Sequence, residues 1–154
     1  MPRAPSPYDR APRLREPAVP GEIVDVASLF TQPDGPIEIE IGGGRGAFVM
    51  ERLAARPDVR VLGLEIRRKW ATIVDDRLAA RGLGPRARVL AEDARDALRR
   101  LGPAGSVSAF FVHFPDPWWK KRHAKRLVVG DVLLAEIVRL LAPGGELFVQ
   151  TDVE

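Results

Sequence analysis

Short apolar runs alternate with amphipathic stretches along the chain from Pro36 onward. Apolar runs bounded by glycine or proline are typical of buried parallel strands, and stretches with one apolar stripe are typical of the helices that cover such a sheet. Their alternation predicts an α/β fold with right-handed crossovers. The predicted strands are Ile37–Ile41, Val59–Leu64, Arg88–Ala91, Val107–Phe114 and Glu146–Thr151.

The stretches between these strands carry apolar residues at helical spacing. The first stretch ends before Pro57, the second before Gly82 and the last before the glycine-rich turn APGG. These residues break helices, and Asp131 can cap the last one. We therefore predict four helices: Ala47–Arg56, Arg67–Arg81 with Trp70, Ile73, Val74 and Leu78 facing the core, Ala94–Leu101, and one after Asp131 with Val132, Leu133, Ile137, Leu140 and Leu141 facing inward.

The N-terminal stretch has a different composition. Its first twenty residues, MPRAPSPYDRAPRLREPAVP, contain many prolines and few apolar residues. Such a sequence sustains no helix and buries little surface. We expect a disordered arm over residues 1–22, followed by one domain over residues 23–154.

Composition excludes several kinds of chemistry. The 154 residues include no cysteine and two histidines, so disulfides, thiolate nucleophiles and cysteine-ligated metals are excluded, and we expect no metal site. No apolar run approaches the roughly 20 residues that span a bilayer, and no signal peptide is recognisable. We expect a cytoplasmic protein without a membrane partner. The formal net charge of +3 permits an anionic partner without requiring one.

A glycine-rich turn follows the first predicted strand in IEIEIGGGRGAF. Gly42, Gly44 and Gly46 let the backbone approach a ligand closely, and free amides at the start of the next helix favour electron-rich groups. With Ala47 the spacing also fits the dinucleotide fingerprint, so the turn alone does not separate nicotinamide from other nucleoside cofactors.

Three acidic residues near predicted strand ends narrow the choice of cofactor. Glu65 lies where a carboxylate can accept hydrogen bonds from both ribose hydroxyls. Glu40 would repel a pyrophosphate but suits a cofactor that carries positive charge, such as S-adenosylmethionine. Asp93 lies where the amino group of adenine could be read. The acids together favour a sulfonium cofactor.

The segment FPDPWWKKRHAKR follows the fourth predicted strand, at the edge of the sheet where α/β proteins bind ligands. The flanking prolines restrict the backbone at Asp116, and Trp118 offers a face on which a base can stack. Cations that can contact a phosphate backbone follow. They are Lys120, Lys121, Arg122, Lys125 and Arg126.

The combination EIEIGGGRG, GLEI, FPDPWWKKRHAKR and TDVE strongly resembles bacterial tRNA (guanine-N7)-methyltransferases over about residues 37–154. The resemblance implies a Rossmann-like class I methyltransferase fold, with a mostly parallel sheet and helices on both faces. It implies methyl transfer from S-adenosyl-L-methionine to a guanine in the tRNA variable loop. The intact family member is expected to be a monomer.

The resemblance also assigns roles to individual residues. It implies cofactor contacts by Glu40, Glu65, Asp93 and Asp116, with Asp116 also catalytic, and substrate contacts by Lys120 and Asp152. Guanine N7 carries a free lone pair, so alignment and electrostatics can suffice without removal of a proton. A carboxylate such as Asp116 would stabilise the positive charge that develops on the purine.

The sequence departs from the family after the fifth strand. The family continues through a helix and two more strands, so we expect that helix and those strands to be missing and the 154-residue chain to methylate poorly. Alternatives remain open: a noncatalytic RNA-binding remnant of the family, a methyltransferase acting on exocyclic amines, and a nicotinamide-dependent oxidoreductase. The last explains neither Glu40 nor the tryptophan and cation cluster.

Overall fold

A computed structural model describes residues 1–114 and 130–151, apart from the side chains of Phe114 and Thr151. Strands and helices alternate in it as the sequence predicts. In chain order the elements are β1 (Val24–Asp25), a 3-10 helix (Val26–Leu29), β2 (Ile37–Ile41), α1 (Ala47–Ala55), β3 (Arg60–Leu64), α2 (Arg68–Ala80), β4 (Ala87–Leu90), α3 (Ala94–Arg99), β5 (Leu101–Gly102), β6 (Val107–Phe114), α4 (Asp131–Leu140) and β7 (Leu141–Thr151).

Five of the strands form one parallel sheet in the order β4-β3-β2-β6-β7. The order reverses beside β2, because β3 and β4 extend the sheet to one side of it and β6 and β7 to the other. Glu40 on β2 pairs with Gly63 on β3 and with Phe111 on β6. Parallel sheets bind ligands beyond the carboxyl ends of their strands at such a switch point. The predicted α/β class is confirmed.

Helices cover both faces of this sheet, and a separate apolar cluster lies under each layer. One cluster joins α1 and α2 to the sheet and includes Leu53, Val74 and Leu78. The other joins α3 and α4 to the opposite face and includes Leu98 and Ile137. Nonpolar area buried on both faces accounts for the nearly continuous apolar character of the strands.

Three helix predictions are wrong in detail. Asp131 is the first helical residue rather than the cap, because the extended Gly130 precedes the helix. Val132 is 58% exposed, since it lies one position, or about 100°, away from the buried Leu133. Trp70 is only half-buried for the same reason, being one position from the buried Ala71.

Other differences concern element ends. Leu101, predicted to close a helix, belongs to β5, which pairs with β1 in a separate two-stranded sheet. Strands of two residues are too short to show periodicity, so the sequence does not predict them. β7 begins at Leu141 rather than at the predicted Glu146, because the APGG segment joins the strand with an irregular register against β6.

Part of the N-terminal stretch packs against the domain. Ala11 and Leu14 are buried, the Pro12 carbonyl accepts a hydrogen bond from the Ala91 amide, and the Leu14 amide donates to the Glu92 carboxylate. The prediction of a disordered arm is therefore wrong for residues 11–14. Composition missed this contact, since two buried apolar residues and two hydrogen bonds of backbone groups suffice to hold a short extended segment.

β7 lies at the edge of the sheet, next to β6. Its apolar residues remain accessible, with Leu147 37%, Phe148 47% and Val149 51% exposed, and Phe148 stacks on Phe111 of β6. No helix among the described residues is long and apolar enough to cross a membrane.

Candidate active site

The isoleucines of β2 pack into the core on one face of the sheet, and its two glutamates point to the other face. Glu38 and Glu40 are nevertheless buried, at 3% and 1% exposure, because α1 covers their face of the sheet. Glu38 accepts two hydrogen bonds of 2.7 Å from the Arg52 guanidinium of α1, so its charge is neutralised in place. Glu40 forms no such pair with an arginine among the described residues, and its environment sets it apart.

The carboxyl group of Glu40 lies beneath the glycine-rich turn. A Cβ added at Gly43 would come within 2.4 Å of Glu40 Oε1, so only glycine leaves room for the carboxylate there. Glu40 Oε2 is 3.3 Å from His113 Nε2 at the end of β6. Burial and, secondarily, the charge of Glu65 raise the pKa of Glu40 to about 8. The group therefore carries a proton at neutral pH unless a positive charge comes close.

The turn that covers Glu40 depends on positive φ angles. Gly42 has φ +81°, and a Cβ at this position would come within 2.4 Å of the His113 carbonyl oxygen. Gly46 has φ +88° and lies against Val74 of α2. Side chains are strained in this region of backbone space, and these contacts leave no space for one. The turn therefore joins β2 to α1 close to both neighbouring elements.

Glu65 provides a second carboxylate at the end of β3. It is 4% exposed, and its Oε1 accepts hydrogen bonds of 2.9 and 2.8 Å from Arg67 Nε and Nη2. The side chain of Arg67 is itself about half exposed, so this pair lies at the entrance to the site. A ligand that hydrogen-bonds Glu65 would compete with Arg67 for the same oxygen.

The two carboxylates share one pocket at the switch point of the sheet. Its empty space is about 200 Å³, part of which is open to solvent. No lysine, arginine or histidine is among the described residues that line it. They are Glu40, Gly43, Gly44, Gly46, Val49, Gly63, Leu64, Glu65, Val74 and Val89. A buried carboxyl group that ionises when a cation comes close, a second carboxylate that accepts hydrogen bonds, and an apolar floor suit a ligand that combines positive charge with hydroxyl groups, and they disfavour a pyrophosphate.

Asp93 is placed differently from Glu40 and Glu65. It caps the N-terminus of α3, accepting a hydrogen bond of 2.9 Å from the Arg95 amide, and it also binds the Arg95 guanidinium. Arg95 holds the pKa of Asp93 below its ordinary value. Asp93 does not line the pocket formed by the described residues. Its contact with a cofactor remains a prediction.

The remaining predicted site residues lie outside the described residues. β6 ends at the carboxyl edge of the sheet beside β2, and Asp116 follows its last residue by two positions in the sequence. The residues concerned are Asp116, Trp118, Lys120, Lys121, Arg122, Lys125, Arg126 and Asp152.

The sequence interpretation missed three residues at the site. His113 and Arg67 each contact one of the two pocket carboxylates, and Phe48 of α1 packs on the His113 ring with centroids 4.8 Å apart. A signal existed for Arg67, because it follows Glu65 by two residues in LEIR. None existed for His113, whose distance to Glu40 depends on the pairing of β2 with β6.

Comparison with known proteins assigns the chain to a family. Residues 34–154 match the family Methyltransf_4, described as "Putative methyltransferase". A tRNA (guanine-N(7)-)-methyltransferase of Anaeromyxobacter dehalogenans is 44% identical over 146 residues, which cover 95% of this chain and 70% of that protein. Enzymes of the same name from Myxococcus xanthus and Rhodopirellula baltica are 40% and 41% identical, and the chain covers 58% and 46% of their lengths.

Solved structures support the fold. Geranyl diphosphate methyltransferase in complex with SAM superposes with a TM-score of 0.58 at 19% identity, covering 76% of this chain and 42% of that one. Mitomycin 7-O-methyltransferase superposes with a TM-score of 0.58 at 24% identity, covering 84% of this chain and 34% of that one. At such identities the likeness establishes the architecture alone.

The sheet order, the glycine-rich turn and the carboxylates at its switch point define an α/β protein of the methyltransferase fold class. Because the family match spans residues 34–154, the chain belongs to the Methyltransf_4 family.

Proposed function

We propose that this chain binds S-adenosylmethionine and transfers a methyl group to N7 of a guanine in tRNA. The observation that carries the cofactor assignment is Glu40, a buried carboxyl group with its pKa raised to about 8, in a pocket with Glu65 and no cation among its described lining residues. The names of relatives up to 44% identical support the tRNA substrate. The reaction would take place in the cytoplasm, where tRNA is modified.

The pocket residues fit this cofactor by charge and hydrogen bonding. S-adenosylmethionine supplies an electrophilic methyl group on a positively charged sulfur. Glu40 would hold the positive end of the molecule, and Glu65 would accept hydrogen bonds from the ribose hydroxyls in place of those from Arg67. A cation beside Glu40 favours loss of its proton, so cofactor binding near neutral pH would release a proton.

Asp93 can join this site only by exchanging partners. Its carboxylate accepts hydrogen bonds from the Arg95 amide and guanidinium, and the guanidinium is half exposed. We propose that Asp93 keeps the bond to the amide, which starts α3, and turns its second oxygen from the guanidinium towards the adenine amino group. Asp93 would then cap α3 with one oxygen and bind the cofactor with the other.

The residues after β6 would handle the guanine and the RNA backbone. Guanine N7 has a lone pair and no proton, so no general base is needed there. We propose that Asp116 orients the base and offsets the positive charge it acquires, while Trp118 stacks on it. Phosphates would contact the basic residues that follow Trp118, and Asp152 would contribute to substrate binding. The basic residues are Lys120, Lys121, Arg122, Lys125 and Arg126.

The reaction is tested by incubating the chain with unmodified tRNA and labelled S-adenosylmethionine, followed by mapping of the modified nucleoside. We expect label in 7-methylguanosine. Label in an exocyclic amine instead would contradict the proposal. RNA retained on a filter without any label would favour a noncatalytic RNA-binding protein.

Asp116→Asn tests the proposed catalytic residue. The amide keeps the shape of the side chain but removes the charge that would stabilise a cationic purine, so the rate of methyl transfer should fall. Affinity for S-adenosylhomocysteine, measured separately by calorimetry, shows whether the loss arises from the cofactor contact. Unchanged turnover would remove Asp116 from the mechanism.

Competition binding separates the two cofactor classes. We expect S-adenosylhomocysteine to displace a fluorescent adenosine probe from the pocket, whereas NAD should not, because the pocket offers its pyrophosphate two carboxylates and no cation among the described lining residues. Tighter binding of NAD would favour the oxidoreductase alternative.

A further inference from the structure

Three exposed cations and one tryptophan lie beside the pocket. The cations are Arg45 in the glycine-rich turn and Arg68 and Lys69 in the first turn of α2, and the tryptophan is Trp70 in the same turn of α2. We call these four residues the α2 patch. Arg45 Cζ lies 4.7 Å and Lys69 Nζ 5.5 Å from the centroid of the Trp70 ring. Both cations are therefore held against one aromatic side chain by cation–π attraction.

The cations of the α2 patch form no salt bridge with a described residue. Among residues 1–114 and 130–151, no carboxylate within 4 Å pairs with Arg45, Arg68 or Lys69, and the first turn of α2 contains no acid. Other arginines of the chain, such as Arg52 and Arg88, bind carboxylates through two nitrogens. Asp9, which pairs with Arg3, attracts Arg68 over a longer distance, whereas Arg45 and Lys69 have no carboxylate partner among the described residues.

The α2 patch borders the cofactor pocket. Arg45 lies between Gly44 and Gly46, which both line the pocket, and its carbonyl oxygen accepts a hydrogen bond of 3.1 Å from Arg77 of α2. The patch therefore stands at the carboxyl edge of the sheet, on the β3 side of β2. β6, which leads to the cation-rich segment after Phe114, lies on the other side of β2.

We propose that the α2 patch binds backbone phosphates of the RNA substrate, on the β3 side of the pocket, opposite to β6. Trp70 holds Arg45 and Lys69 in place, which lowers the entropy lost when they contact phosphates. The inference rests on the proposed RNA substrate and extends it with a second contact surface. A long polyanion bound at the pocket would then extend onto the α2 patch.

The shape of the α2 patch favours a polyanion over a small anion. Arg45, Arg68 and Lys69 are all exposed and spread over a turn and a helix end, and none of them lines the pocket. Exposed point charges bind a single phosphate weakly in water but attract a chain of phosphates through counterion release. Such contacts position the RNA without reading its bases.

The α2 patch is tested by RNA binding rather than by catalysis. Arg45→Ala, Lys69→Ala and their combination are compared with wild type for binding of unmodified tRNA at several salt concentrations. We expect weaker binding and a slope of log affinity against log salt that is smaller by about 1 for each cation removed. Arg81→Ala is the matched control: it removes an exposed cation at the other end of α2, remote from the pocket, and should change neither quantity.

Affinity for S-adenosylhomocysteine, expected to change less than about twofold in these variants, shows that the pocket is intact, since neither side chain lines it. The proposed role of the α2 patch would be overturned if the double variant had the tRNA affinity and salt slope of wild type, or if wild type bound no tRNA. Binding that depends on the patch without formation of 7-methylguanosine would instead overturn the proposed reaction and leave the patch standing.

Discussion

At the scale of single residues, Glu38 and Glu40 differ in the partners of their carboxyl groups. Both are buried on the same face of β2, two positions apart. Glu38 is paired with Arg52 through two hydrogen bonds, which is how a buried carboxylate is stabilised. Glu40 has no arginine partner among the described residues, and burial raises its pKa. Acids whose pKa values are shifted by burial cluster at functional sites.

Glu40→Gln should stabilise the ligand-free protein, increasingly so at higher pH. The raised pKa means that the folded state holds a proton that the unfolded state has lost between the ordinary value of 4.5 and about 8. Wild-type stability therefore falls as pH rises through this window, by on the order of a few kcal/mol, and glutamine removes that dependence. Chemical denaturation at pH 5 and pH 8.5 measures it. An equal difference at both pH values would contradict the shifted pKa.

Glu65→Gln should affect both the cofactor and Glu40. Loss of charged hydrogen bonds to the ribose hydroxyls is expected to weaken binding of S-adenosylhomocysteine about tenfold. The pKa of Glu40 should fall but stay above 4.5, because burial, the larger cause of its shift, remains. Calorimetry and NMR titration give the two values. An unchanged pKa of Glu40 would show that the two carboxylates do not interact.

At the scale of elements, the turn between β2 and α1 brings three parts of the fold into contact. The Gly42 position lies against the His113 carbonyl of β6, Gly43 against Glu40 of β2, and Gly46 against Val74 of α2. Because all three contacts are tight, the turn fixes the distance between the sheet and its helices at the pocket. Where the turn lines the pocket, its glycines present backbone atoms rather than side chains, which allows a ligand to approach closely.

Gly42→Ala should cost more stability than Gly82→Ala, although both glycines have positive φ, +81° and +73°. Each substitution incurs the strain of the left-handed region, roughly 1–2 kcal/mol. Only at Gly42 does the new Cβ also meet an atom, the His113 carbonyl oxygen at 2.4 Å, whereas nothing lies within 4 Å at Gly82. Urea denaturation of both variants measures the difference. Equal losses would show that His113 moves aside without cost.

At the scale of the whole molecule, the sheet order determines which strand ends can share a site. β2 lies between β3 and β6, so the turn after β2, Glu65 after β3 and His113 near the end of β6 lie at the same edge. The N-terminal stretch adds a further long-range contact, since Leu14 joins the core beneath α3 and α4. Residues distant in the sequence therefore stabilise the site together.

Leu14→Ala should destabilise the domain by about 2–3 kcal/mol, the usual loss when a buried leucine leaves a cavity. Leu14 is 4% exposed, whereas Val19 in the same stretch is 60% exposed. Val19→Ala is therefore the matched control and should cost under about 0.5 kcal/mol. Thermal or urea denaturation tests both. Equal, negligible effects would restore the interpretation of this stretch as a disordered arm.

The sequence by itself determined the α/β class, the five main strands, the glycine-rich turn and the acids at strand ends, because each follows from local periodicity and residue type. Only the tertiary structure decided that Glu38 is neutralised by Arg52 while Glu40 meets His113, that Asp93 caps α3, and that residues 11–14 are packed. Distances between side chains of different elements depend on strand order, register and helix packing. Local patterns carry no information about these, and so the same residue type is paired with an arginine at one position and lines the pocket at another.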